Sequence, residues 1–137
     1  MGPQPSAAIR HRELVLHPED REACGAGISW VRQALADWYP SADGGDVVLV
    51  AAELLSNAAR HGRGPVRVVL DHGEGALRVA VSDASPVRPR LREHRPDSIG
   101  GHGLFIIDQL AVRWGCRPEG AGKTVWADLP PPSPSDR

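Results

Sequence analysis

The chain has 137 residues, 41% apolar and 24% charged, with a net charge of −1. That length suits one self-sufficient core and is too short for two domains. The near-neutral charge and only six aromatic residues disfavour a nucleic-acid partner, and no stretch approaches the ~18 apolar residues of a membrane span.

Residues 1–8 and 130–137 are rich in Pro and Ser and read as disordered tails, leaving 9–129 as the domain. The start carries no apolar leader, so the expected compartment is the cytoplasm. Glu13–His17, with Leu14 and Leu16 on one face, reads as a short strand. Pro18-Glu19-Asp20 then opens a helix running to about Trp38, its first turn acidic as the helix dipole favours. Cys24, Ile28, Val31, Leu35 and Trp38 form its apolar stripe. After Asp43-Gly44-Gly45, Asp46 is placed to cap a second helix from Val47 to Arg60 or His61, stopped by Gly62.

Pro65–Asp71 and Ala76–Asp83 read as strands joined by a hairpin turn over residues 72–75. Leu77, Val79 and Val81 alternate with Arg78, Ala80 and Ser82, the pattern of a half-buried sheet. Residues 84–103, with repeated Pro, Arg and Gly, have no period and form a long loop of a kind that is usually functional or mobile. Leu104–Leu110 is a short apolar helix opening from it. Val112–Arg117 and Lys123–Leu129 are two closing strands, joined through Pro118–Gly122. The order implies an α/β two-layer sandwich: a mixed, mostly antiparallel sheet with helices on one face. Cys24 and Cys116 form no C-x-x-C pair and read as packed thiols. Fifteen of the sixteen Lys and Arg residues are Arg.

The chemistry concentrates in four places. Glu53, Asn57, Arg60 and His61 share one face of the second helix. A solvated face usually carries Lys–Glu pairs, whereas Glu, Asn and His form a functional mixture, and Asn is a poor residue mid-helix. Asp83 ends a buried strand before Ala84-Ser85-Pro86, either as a turn former or as a site residue. Gly100-Gly101-His102-Gly103-Leu104 precedes a helix, where exposed backbone N–H groups make a phosphate cradle or the glycines a hinge. Gly122-Lys123-Thr124 looks like the end of a G-x-x-x-x-G-K-S/T loop. The first glycine would have to be Arg117, however, and a strand rather than a helix follows, so that reading fails.

Taken in order, ELLSNAARHG (53–62), DASP (83–86), GGHGL (100–104) and GKTVW (122–126) resemble the Bergerat-fold ATP-binding domain of gyrase, the large heat-shock chaperone, sensor histidine kinases and mismatch-repair ATPases. The compact chain is most similar to the small bacterial anti-sigma-factor serine/threonine kinases. The resemblance implies an ATP site with Mg2+, built from Asn57, Arg60, His61, Asp83, Ser85, Gly101, His102, Gly103, Leu104 and Thr124. Asn57 would hold Mg2+ through its amide oxygen and Glu53 would act as catalytic general base. Asp83 would accept from the adenine amino group, Thr124 would complete adenine recognition, and the glycines would let the loop close. Two positions depart from the family. Ser85 stands where a glycine is usual and would either narrow the adenine pocket or bond locally. His102 stands where relatives often carry Arg, which favours ATP binding over kinase activity.

The implied function is transfer of the ATP γ-phosphate to a small anti-anti-sigma partner by a protein that also sequesters a sigma factor. The alternative is a non-catalytic ATP-binding regulator that controls partner binding through nucleotide-dependent closure of the loop. A sensor histidine kinase fragment is disfavoured, because no phosphoacceptor dimerisation helix precedes the domain. A homodimer is left open.

Overall fold

The computed structural model describes residues 10–73, 75–88 and 102–133. Five strands and three helices follow one another as β1 (Arg10–Val15), α1 (Ala23–Trp38), α2 (Gly45–His61), β2 (Pro65–Gly73), β3 (Ala76–Asp83), α3 (His102–Leu110), β4 (Arg113–Glu119) and β5 (Gly122–Leu129). The strands form one sheet in the order β1-β2-β3-β5-β4. All four pairings are antiparallel, so the sheet is not mixed. This is the expected α/β two-layer sandwich, with α1 over β1 and β2, α2 over β3 and β5, and α3 beside β4.

Strand alternation divides the sheet into two faces. Val68, Leu70, Leu77, Val79, Val81, Val125, Ala127 and Leu129 point to the helices and join Val50, Leu54, Leu55, Leu104 and Ile107 in the core. The opposite face carries charge. Asp128, with a side chain only 5% exposed, accepts from Arg78 on β3 and Arg113 on β4. Arg78 also lies over the Trp126 ring, 4.1 Å from its centroid. α1 and α2 approach closely at Gly27, where a Cβ would lie 2.9 Å from Leu55 Cδ1.

Several boundaries differ from those expected. β1 lies at Arg10–Val15 rather than Glu13–His17, because its ladder with β2 begins at the Arg10–His72 pair. α1 starts at Ala23, not Pro18: residues 18–22 turn first, with the Glu22 N–H donating to Asp20 Oδ1, so no acidic residue lies in its first turn. Asp46 does not cap α2. The helix starts at Gly45, and Asp43 Oδ1 accepts from the Gly45 N–H at 2.9 Å. The β4–β5 hairpin is tighter than the expected connection, since Glu119 pairs with Gly122 and only Gly120 and Ala121 turn the chain. α3 begins two residues early, at His102. The expected N-terminal tail, residues 89–101 of the long loop, and residues 134–137 lie outside the described residues. Among the described residues no helix is long and apolar enough to cross a membrane.

Candidate functional site

The C-terminal end of α2 anchors the site. Leu55 faces α1 through its contact with Gly27. At ~100° per residue Glu53 lies about 200° around the helix from Leu55, turned away from α1. Glu53 and Asn57, one turn apart, are half-buried, whereas Arg60 and His61 in the last turn are exposed. Gly62 caps the helix, its N–H donating to the Ala58 carbonyl.

Gly62 is where α2 meets Asp83. A Cβ at this position would lie 2.3 Å from Asp83 Oδ2, so any larger residue would push the carboxylate away. β5 presses in from the other side: a Cβ on Gly122 would lie 1.9 Å from the Asp83 carbonyl oxygen. That clash is with backbone and no rotamer change relieves it. Two glycines thus let the end of α2 and the start of β5 close on Asp83, Gly62 against its carboxylate and Gly122 against its backbone carbonyl. Asn57 offers one hard oxygen ligand, so triphosphate oxygens and waters would have to complete a magnesium shell.

The Asp83 side chain is 1% exposed. Its Oδ1 accepts from the Ser85 N–H at 2.9 Å and from Lys123 Nζ at 3.0 Å. Lys123, itself 3% exposed, also donates to the Ser85 carbonyl at 3.2 Å. Ser85 takes the local option, its Oγ accepting from the Val87 N–H.

Thr124 does not join Asp83. In the ladder Asp83 pairs with Lys123 and Ser82 with Thr124. Alternation therefore sends the Thr124 side chain to the charged face, away from the helices. There its hydroxyl meets Ser82 Oγ at 2.7 Å and donates to Glu119. The residue that faces Asp83 from β5 is Lys123, which opens the expected closing strand and lies in the GKTVW motif but has no expected role. The strand register could have found it, since adjacent residues of a strand point to opposite faces. Leu104 is buried in the core with Ile107, one turn into α3. His102 and Gly103 start that helix, and Gly101 lies outside the described residues.

An open cleft of about 540 Å³ exists elsewhere, lined by Asp43, Gly44, Asp46, Leu110 and Pro131. It lies at the opposite end of α2, about 25 Å from Gly62 along a 17-residue helix. Its two aspartates would repel a triphosphate.

The family model of the histidine kinase-like ATPase domain matches residues 8–129, the whole described domain with all four motifs. The chain belongs to that family. The fold is similar to the crystal structure of the RsbU and RsbW domains of Rv1364c from Mycobacterium tuberculosis, with a TM-score of 0.62 at 19% identity. The likeness covers 92% of this chain and 34% of the other, so the chain spans about a third of that structure's length. No curated protein sequence matches the chain significantly. As a histidine kinase-like ATPase domain, the chain has a fold that implies ATP binding.

Proposed function

We propose that this domain binds ATP with magnesium and transfers the γ-phosphate to a serine or threonine of a small anti-anti-sigma-type protein, while also binding a sigma factor. The observation that carries the reading is the placement of half-buried Glu53 and Asn57 one turn apart on α2, whose terminal Gly62 abuts Asp83. Similarity in fold to a structure containing an RsbW domain supports it.

In this reading Mg-ATP supplies the transferable phosphoryl group. Asn57 holds the cation through its amide oxygen, and the Glu53 carboxylate takes the proton of the attacking hydroxyl. Asp83 orients the base by accepting from its amino group, and the start of α3 offers backbone N–H groups to the phosphates.

The test is radiolabelled ATP incubated with the purified domain and the product of a neighbouring anti-anti-sigma-type gene. Glu53→Ala should still bind Mg-ATP but lose roughly 100-fold in phosphotransfer. Asn57→Ala should weaken binding in magnesium and respond little to its removal. A wild-type protein that binds Mg-ATP yet never labels a partner would select a second reading, a non-catalytic regulator whose partner affinity depends on nucleotide.

A further inference from the structure

Lys123 is the only lysine in a chain with fifteen arginines, and it is buried. Its ammonium sits between Asp83 Oδ1 and the Ser85 carbonyl, at 3.0 and 3.2 Å. The second carboxylate oxygen is packed against Gly62. Oδ1 thus already carries two donors and Oδ2 lies against the end of α2, so an incoming base meets the ammonium as a competitor for Asp83. A compact ammonium with three donors fits the gap, whereas a planar guanidinium needs a wider one. That accounts for a lysine here in a chain that otherwise uses arginine.

We propose that Lys123 sets the affinity and selectivity of the base pocket: its ammonium holds the carboxylate that adenine's amino group would use and must withdraw for adenine to bind. The inference rests on the reading of Asp83 as the base acceptor. Lys123 acts through Asp83 and is a positioning residue, not a catalytic one. An amino group and an ammonium are both donors competing for one acceptor, and the charged donor bonds more strongly. Nucleotide must then displace an internal ion pair, which weakens binding. The same contact gives selectivity, since a base presenting a carbonyl at that edge cannot replace the ammonium as a donor to Asp83.

Adenosine is the clean probe, because it lacks phosphates and so does not report the loss of a cation beside a triphosphate. By calorimetry, Lys123→Met should bind adenosine about tenfold tighter than wild type, the size expected for removing one charged hydrogen-bond competitor. Lys123→Arg, which keeps the charge, should show no such gain. A merely structural lysine would give loss, not gain, on removal. The variant with an unpaired Asp83 risks poor folding, so a second measurement uses wild-type protein. Isotope-labelled lysine gives a single side-chain ammonium resonance, which should be protected in the free protein and shift or broaden when adenosine saturates the site.

Equal or weaker adenosine binding by Lys123→Met overturns the proposal, as does an ammonium resonance unchanged at saturation. Guanosine binding to wild type that disappears in Lys123→Met also overturns it, since the ammonium would then read a carbonyl edge directly. Mg-ATP binding by wild type, with adenosine bound no tighter by Lys123→Met, sinks this inference alone. Failure of wild type and variant to bind either Mg-ATP or adenosine sinks the base-site reading with it.

Discussion

Glu119 stands at the end of β4 with three donors converging on it: the Thr124 hydroxyl, the Arg67 guanidinium and the Ser82 hydroxyl. Together, Thr124 foremost, they hold its carboxyl down to about 2 from an ordinary 4.5. Because the folded value is the lower one, the stabilisation is present above about 4.5 and is lost as pH falls through about 2. Glu119→Gln should therefore be less stable than wild type near neutral pH, with the gap closing as pH falls from 4.5 toward 2. Urea midpoints across that range measure it, and a constant gap would show that these donors do not tune the carboxyl. The side chain is 39% exposed, so solvent screening keeps the gap modest. Little of this was legible beforehand: Glu119 sits between Pro118 and Gly120 and reads locally as a turn residue. Its partners come from β2, β3 and β5, and only strand register brings them together. Lys123 escaped for the same reason, whereas Glu53 and Asn57 stand out as candidates because their residue types are unusual on a helix face, and Asp83, locally an ordinary turn former, stands out only through the resemblance.

Elements were legible where a period ran long enough. Both long helices and both hairpins follow from spacing and glycine placement, but helix starts did not, because acidic residues before α1 and α2 fit a first turn or a cap as readily as a preceding loop. Two glycines in α1 were not separable by sequence at all. Gly25 is exposed with nothing within 4 Å of an added Cβ, whereas at Gly27 a Cβ would meet fully buried Leu55. Gly25→Ala should stabilise the fold by about 0.5–1 kcal/mol, since alanine loses less backbone entropy in a helix. Gly27→Val should destabilise it by roughly 1–3 kcal/mol through overpacking between α1 and α2. Chemical denaturation of the two variants decides the matter. Opposite signs are expected; a stabilising Gly27→Val would mean the two helices can separate freely.

At the scale of the whole molecule, the site is held by no single element. Segments 53–62, 83–85 and 122–124 meet only once α2 has packed on β3 and β5 has paired with β3. The two glycine contacts at Asp83 exist only in that assembled state. An unfolded chain therefore has no site, and a ligand that binds there must add its binding free energy to global stability. At a free concentration one hundred times Kd the gain is about 2.7 kcal/mol. For a domain of this size that corresponds to a rise in Tm of roughly 10 °C. Mg-ATP should produce that rise in the wild-type protein, and chelating magnesium should cut it. Asn57→Ala should show a smaller rise that no longer depends on magnesium, because the hard oxygen that links cation to helix is gone. Thermal melts with and without chelator provide the measurement. A folded wild-type protein whose Tm does not move in millimolar Mg-ATP would show that the convergence at Asp83 serves packing alone.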